Sequence, residues 1–142
     1  MPNFTWSSAY DIGHKQIDEE HRALFEMISE LGQSLYQGQN KEAKSIALSI
    51  PKAFAKHCRE EEKILRNIKF GNLEIHARNH VKYTKQFTTI IEQYDYQDII
   101  DDKTVDQFLS DIYGLFFDFL IREDMEYKSH LEEYQKALHW IL

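Results

Sequence analysis

The chain has 142 residues, 42% of them hydrophobic, and its 24 acidic and 17 basic side chains give a formal net charge of −7. This length suits one compact domain that buries its own core without disulfides. The negative charge argues against a nucleic-acid-binding or anionic-membrane surface, since both need concentrated basic residues. We therefore expect neither a nucleic-acid nor a membrane partner.

The composition also indicates the compartment and the fold class. Cys58 is the single cysteine, which excludes an internal disulfide framework and fits the reducing cytoplasm. No apolar stretch approaches the roughly 18 residues that span a bilayer, and the N-terminus lacks the layout of a signal peptide. Five glycines and two prolines are few for a β protein with many tight turns, so helix is favoured.

The first predicted element is an N-terminal arm, residues 1–16. It contains Trp6 and Tyr10 but shows no clear hydrophobic period. We expect an ordered arm that packs on the rest of the domain through these aromatic rings.

Four segments follow in which apolar residues recur at steps of three and four, the pattern of an amphipathic helix. The first is predicted to have Asp18 as its N-cap and to end near Gly38. The second contains Pro51, which removes a backbone donor, so that helix is expected to kink or to begin late. The third begins after Asn72, and the fourth is opened by the acidic "DDKT".

Short connections between these segments place successive helices side by side and antiparallel. The sequence therefore predicts an all-α, up-down-up-down four-helix bundle over residues 17–125, within a single domain of residues 1–142. Residues 126–142 form a C-terminal helical tail that docks on its own bundle or joins two chains as a weak homodimer. The apolar stripe of this tail consists of Tyr127, Leu131, Tyr134, Leu138 and Ile141.

Five polar residues occupy core positions of the first three predicted helices. Burying an imidazole or a carboxylate without a partner costs on the order of a few kcal/mol, and a domain is only marginally stable. A shared metal is the simplest way to satisfy all five groups together. They are His21, His57, Glu61, His76 and His80.

The spacing of these residues supports a metal site. His57 with Glu61, and His76 with His80, lie four residues apart and so share one helical face, while His21 adds a ligand from the first helix. Imidazole and carboxylate ligands without thiolates suit iron, manganese or zinc rather than calcium or an iron–sulfur cluster. Such a set exceeds the needs of one tetrahedral ion, so two metals are expected, with iron favoured.

Two further carboxylates, Glu123 and Asp124, end the fourth apolar stripe, where one of them can bridge two cations. On a regular helix Glu123 lies about 40° around the axis from Phe119, whereas Asp124 lies about 140° away. On a regular helix, Glu123 rather than Asp124 therefore lies on the same face as Phe119.

The order of these residues resembles the hemerythrin family, specifically the bacterial hemerythrins. The resemblance covers about residues 6–127 and includes Trp6. It is carried by "IDEEHRALF", "HCREEEKIL" and "HARNH" followed by Asp124, that is, His, then His-x-x-x-Glu, then His-x-x-x-His, then Asp. It implies a non-haem di-iron centre, bridged by oxo or hydroxo, that binds dioxygen reversibly.

The resemblance also assigns a role to each ligand. One iron is held by two histidines, the other iron by another two, and both carboxylates bridge the pair. The first iron takes His21 and His57, the second takes His76 and His80, and the bridges are Glu61 and Asp124. An apolar wall that excludes water is expected from Leu24, Phe25, Leu115, Phe116 and Ile121.

One family position is changed. The last family element is His-x-x-x-x-Asp, and five residues before Asp124 stands Phe119, so the iron of His76 and His80 loses its third imidazole. Water or hydroxide fills the vacancy, or Glu123 becomes a substitute ligand, or the site is empty or holds a single iron or another first-row metal. The sequence leaves these three outcomes open.

The remaining polar residues have plainer expected roles. Cys58 is expected to be a small buried residue, and His14 an exposed or capping one. His130 and His139 have no expected metal role. The acidic runs "DEEH" and "REEEK" are expected to be solvated faces, apart from Glu61.

Three functions follow from this pattern. The first is an oxygen-binding protein for storage, delivery or sensing, not an enzyme. The second is a redox enzyme acting on peroxide, nitric oxide or another small molecule at the iron opened by the loss of the fifth histidine. The third is a signalling or interaction module with a degenerate metal site, which contacts its partner through the tail.

Overall fold

A computed structural model describes residues 4–97 and 101–141 of the chain. Residues 1–3 of the predicted arm, residues 98–100 of the predicted bundle, the C-terminal residue 142 and the side chains of Trp140 and Ile141 in the tail lie outside the described part. The described chain contains four long helices and a shorter fifth. They are α1 (Lys15–Tyr36), α2 (Asn40–Asn67), α3 (Leu73–Gln93), α4 (Asp102–Phe119) and α5 (Lys128–Ile141).

The four long helices form a closed ring of neighbours. Helix α2 packs between α1 and α3, and α4 closes the ring by packing on both α3 and α1. The connections are short enough to keep successive helices antiparallel. The described residues contain no strand. The predicted all-α four-helix bundle is therefore confirmed, and none of its described helices is long and apolar enough to span a membrane.

The start of α1 differs from the prediction. His14, not Asp18, is the N-cap, and its Nδ1 accepts a bond from the amide of Ile17 at 3.4 Å. The Asp18 carboxylate instead accepts bonds from the amides of Ile12 at 2.7 Å and Gly13 at 3.1 Å. The predicted N-cap was therefore wrong because this carboxylate turns back to the preceding loop, and it fixes the arm to the bundle.

The turn between α1 and α2 follows the prediction. Gly38 has a φ of 72°, a left-handed conformation that glycine adopts without steric cost. Helix α2 then starts at Asn40 and continues through Pro51. Of the two effects expected from Pro51, a late start is not observed, because Pro51 lies inside one continuous helix, as the prediction of a single second helix requires.

The N-terminal arm packs through aromatic rings. Phe4 stacks on Tyr113 of α4 with ring centroids 4.3 Å apart, and Trp6 meets Phe25 of α1 edge-on at 5.6 Å. Tyr10 lies 4.9 Å from Phe117. These contacts cover the seam between α1 and α4.

The end of α4 is the main irregularity of the fold. Leu120–Asp124 forms one π-helical turn, in which the amide of Met125 bonds to the carbonyl of Leu120. A π turn joins residues five apart rather than four. It therefore brings Asp124 round to the face of Phe119, and the expectation from a regular helix, that Asp124 lies about 140° away, was wrong.

The tail docks on its own chain. A 3₁₀ turn at Met125–Tyr127 leads into α5, where Leu131 is buried. His130 Nε2 lies 2.7 Å from the carbonyl oxygen of Ile68 and bonds to it, and Gln135 bonds to the carbonyl of Gly13. The tail thus closes the end of the bundle where α1 begins and α2 ends.

The buried apolar residues form two clusters. The larger one fills the bundle among all four long helices. The smaller lies under the tail and contains Ile12, Ile17, Leu65, Ile68, Tyr127 and Leu131. Between Ile17 of the small cluster and Leu24 of the large one stands His21. A polar layer therefore separates the two clusters.

Candidate metal centre

The polar layer consists of six buried side chains contributed by α1, α2, α3 and the π turn. None of them is more than 3% exposed. Polar residues occupy core positions of these helices and meet in the middle of the bundle, as their spacing predicted. They are His21, His57, Glu61, His76, His80 and Asp124.

Glu61 divides its two oxygens between two pairs of histidines. Its Oε2 lies 2.8 Å from Nε2 of His57 and 3.6 Å from Nε2 of His21. Its Oε1 lies 2.6 Å from Nε2 of His76 and 3.1 Å from Nε2 of His80. One carboxylate therefore faces both pairs, which is the arrangement that a bridging ligand needs.

The two carboxylate oxygens of Asp124 also face different pairs of histidines. Its Oδ2 lies 2.6 Å from Nε2 of His21 and 4.0 Å from Nε2 of His57, while its Oδ1 lies 3.3 Å from Nε2 of His76. The π turn makes this possible by turning Asp124 inward.

The six residues form two ligand groups that share both carboxylates. Within each group the ligand atoms lie within 4.8 Å of one another. The first group is His21, His57, Glu61 and Asp124, and the second is Glu61, His76, His80 and Asp124.

The residues present fit a pair of cations. Oε2 of Glu61 and both carboxylate oxygens of Asp124 are buried without a properly angled hydrogen-bond donor in the described structure. Buried carboxylate oxygens normally have such donors or a cation. Four imidazole nitrogens and two shared carboxylates match the donors preferred by iron, manganese and zinc.

Phe119 lies at the edge of this layer and is fully buried. Its ring centroid is 6.1 Å from that of His21, 6.1 Å from that of His57 and 5.6 Å from that of His80. The ring offers no ligand atom, so each group keeps two imidazoles and a share of both carboxylates.

Two carboxylates that sequence reasoning assigned to solvated faces support the layer from outside. Glu20 Oε1 lies 2.7 Å from Nδ1 of His57, and Glu62 Oε2 lies 2.7 Å from Nδ1 of His80. Such contacts fix the imidazole orientation and point the other nitrogen at a metal. Each residue adjoins a predicted ligand in sequence but serves a histidine on another helix, so only packing reveals the pairing.

Glu123 lies behind His76 rather than in the layer. Its Oε2 is 3.6 Å from Nδ1 of His76, and its Oε1 accepts a bond from Asn79 at 2.9 Å. The Nε2 atom of His76 points the opposite way, toward Glu61 and Asp124. Glu123 is thus placed to orient an imidazole, on the side away from the two shared groups.

The carboxylates hold protons on the facing imidazoles in the metal-free chain. Burial alone would lower the pKa of these histidines, but the facing carboxylates outweigh it. Asp124 and Glu61 raise the pKa of His21 and bring that of His76 to about 10, and Glu61 leads the rise of the His57 pKa. For Glu61, burial would raise the pKa, but the imidazoles, His57 first, hold it well below its usual value.

Two openings approach the layer. A cleft of about 190 Å³ between α1 and α2 is bordered by Leu24, Met27 and Ala53 and ends at His57. A wider groove of about 790 Å³ between α2 and α3 reaches His80. Each histidine pair therefore has its own approach from the surface.

The predicted apolar wall is partly wrong. Ile121 is 59% exposed, because the π turn directs it outward. Leu24 and Phe116 are buried, and Phe25 and Leu115 pack on the large cluster while half-buried. Cys58 is buried, and burial followed by the charges of Glu61 and Asp124 raises the pKa of its thiol, so it remains a protonated core residue.

One known protein is similar in sequence to this chain over most of its length. The chain is 26% identical over 129 residues to a bacteriohemerythrin of Clostridium acetobutylicum, an alignment that covers 87% of this chain and 98% of the relative. The resemblance to the bacterial hemerythrins is confirmed. No protein-family model and no solved structure matches the chain. The hemerythrin-like relation rests on this alignment together with the helical bundle.

We expect the metal-free protein to lose stability as the pH rises from about 6 to 8. A histidine whose pKa is raised by folding stabilises the folded state fully below the unfolded value, about 6.5, and that contribution is lost as the pH rises toward the folded value. For His76, whose pKa folding raises to about 10, the loss between these pH values is about 2 kcal/mol, and His21 and His57 contribute in the same direction. Urea unfolding in the presence of a chelator measures it.

The control for this pH dependence is His139→Gln, which removes an exposed imidazole on α5 and should leave the pH slope unchanged. His76→Gln should flatten the slope. A wild-type free energy of unfolding that stays constant or rises between these pH values would contradict the expectation.

We expect Glu20→Gln and Glu62→Gln each to weaken metal binding about 10–100-fold, because a neutral amide replaces the charged acceptor behind an imidazole. Titration of the metal-free protein with zinc against a competing chelator measures the affinity. Glu19→Gln is the matched control, since Glu19 adjoins Glu20 but is exposed. Equal affinities in all three variants would show that these contacts do not orient the ligands.

Proposed function

We propose that this chain is a cytoplasmic non-haem di-iron protein that binds dioxygen reversibly, for storage, delivery or sensing. The observation that carries the proposal is the buried layer in which Glu61 and Asp124 each face both pairs of histidines. The similarity to a bacteriohemerythrin supports the same reading. His21 with His57, and His76 with His80, would each hold one iron, and the two carboxylates would bridge them.

The surroundings of the layer support binding of a small apolar gas. When bound, the iron pair supplies the electrons that hold dioxygen and recovers them on its release. The protein's part is to keep water out and the ligands fixed. Phe119 is fully buried against the imidazoles, and Leu24 and Met27 border the narrow cleft beside His57. Apolar side chains there disfavour water without obstructing dioxygen.

Iron loading tests this proposal. The metal-free protein, reconstituted with ferrous iron without air, is expected to hold two irons per chain. Exposure to air should produce the near-ultraviolet absorption of an oxidised di-iron centre, and removal of oxygen should reverse it. His57→Ala is expected to abolish this response, whereas His130→Ala, at a bond to the carbonyl of Ile68, should retain it. Iron-free protein after reconstitution would disprove the proposal.

A redox enzyme is the second candidate, and Phe119 is the observation that favours it. Because its ring supplies no ligand atom, the iron held by His76 and His80 would have positions open to water, peroxide or another small molecule. The wide groove that reaches His80 gives that side its own access. Turnover at this second iron would compete with simple reversible binding.

Peroxide consumption by the iron-loaded protein separates the two candidates. For an enzyme, we expect turnover above that of free iron, loss of it in His57→Ala, and a decrease in Phe119→His, where an added imidazole occupies the open position. Phe119→Leu is the control, since it changes the ring without adding a ligand. Turnover no greater than that of free iron would exclude this candidate.

A further inference from the structure

Tyr127 has a buried hydroxyl that the predicted function does not use. The residue ends the 3₁₀ turn that follows Asp124, and none of its surface is exposed. Its hydroxyl has no hydrogen-bond partner in the described structure. A buried hydroxyl without a partner costs on the order of 1–3 kcal/mol, so its position calls for an acceptor.

The packing around Tyr127 orients the ring toward the polar layer. Its ring centroid lies 5.5 Å from that of His76 in an edge-on contact, and 5.9 Å from that of Phe70. The rest of its environment is the small apolar cluster under the tail, which includes Ile17 and Leu65. Among the neighbours named here, His76 belongs to the polar layer, whereas the others are apolar.

The carboxylates of the layer are the acceptors within reach. Burial, then the charges of Asp124 and Glu61, raise the pKa of Tyr127 well above its usual value, so the phenol keeps its proton. Oε2 of Glu61 and both oxygens of Asp124 are themselves buried without an angled donor. A buried phenol without an acceptor thus lies beside a layer that contains two carboxylates.

We propose that Tyr127 is a positioning residue whose phenol O–H donates a hydrogen bond to the Glu61 carboxylate and holds that carboxylate across the two histidine pairs. The proposed bond joins two side chains of this chain and needs no metal, and only its effect on metal rests on the proposed function. Each carboxylate oxygen has two acceptor directions, so a phenol bond leaves one direction of that oxygen for a cation.

This role differs from that of the three outer carboxylates. Glu20, Glu62 and Glu123 lie behind imidazoles, whereas Tyr127 would act on the shared carboxylate itself. A neutral donor adds no charge to a layer that already contains two buried anions. It would fix the direction of Glu61 while leaving its negative charge for the metals.

Tyr127→Phe removes this hydroxyl and little else. Tyr94→Phe is the matched control, because Tyr94 also has a buried hydroxyl without a partner but packs against Phe108, away from the polar layer. The first readout is the infrared carboxylate stretch of metal-free protein labelled with ¹³C-glutamate, with the Glu61 band identified by its absence in Glu61→Gln. The second is zinc affinity against a competing chelator.

We expect Tyr127→Phe to shift the Glu61 band and to weaken zinc binding about tenfold, as loss of an outer-shell partner does, with neither change in Tyr94→Phe. An unmoved Glu61 band overturns the proposal, whether or not zinc affinity changes. A visible phenolate-to-iron absorption in the ferric protein, lost in Tyr127→Phe, would make the residue a ligand and also overturn it.

The test of Tyr127 depends neither on the folding of one variant nor on iron binding. If Tyr127→Phe does not fold, the same bond is tested by changing its acceptor in Glu61→Gln. The infrared C–O stretch of tyrosine is then compared between this variant and the wild type. An identical stretch in both proteins overturns the proposal. If the chain binds no iron, the di-iron function fails, yet the band shift in the metal-free protein still decides the role of Tyr127.

Discussion

The structure depends on two carboxylates, Glu61 and Asp124, buried in the middle of a helical bundle. Two adjacent anions in an apolar core are strongly destabilising unless cations or protonated imidazoles compensate them. Four histidines on core stripes supply that compensation, and outer carboxylates orient three of them. The apolar clusters above and below exclude water from the layer. The layer costs stability in the empty chain and is suited to hold metal.

The π turn at Leu120–Asp124 is the backbone feature that brings the second of these carboxylates into the core. A regular helix continuing from α4 would direct Asp124 away from the face of Phe119 and leave Glu61 as the sole shared carboxylate. One wider turn places Asp124 inward and Ile121 outward. Single π turns inside α-helices frequently mark functional sites, because their irregular bonding is retained only where a side chain must be re-aimed.

The periodic part of this molecule was predictable from sequence, and the irregular part was not. The helices, the turn at Gly38 and five of the six core polar residues follow from stripes with a helical period, because burial imposes that period. The π turn has no such signal, so the angle expected for Asp124 on a regular helix was wrong, and only the family resemblance placed Asp124 among the shared ligands. Glu20 and Glu62 were missed because a run of acidic residues resembles a solvated face until a partner helix is packed beside it. Asp18 was mispredicted as an N-cap because its carboxylate accepts bonds from two amides of the arm, whose position the sequence does not reveal.

Phe119 makes the two halves of the layer alike in ligand number. Each has two imidazoles and shares both carboxylates, so coordination number alone does not distinguish them. If two metals were bound, any difference in their reactivity would then come from the residues and openings that surround the ligands. His57 adjoins a cleft of about 190 Å³ that also contains Glu20, Lys56 and Glu60, whereas His80 adjoins a groove of about 790 Å³ that also contains Glu62 and Arg59. Both approaches contain charged side chains, so they differ in size rather than in polarity, and the narrow cleft admits only a small ligand. If the layer holds two metals, access to the two pairs of histidines, rather than the ligands themselves, would determine which molecules reach each metal.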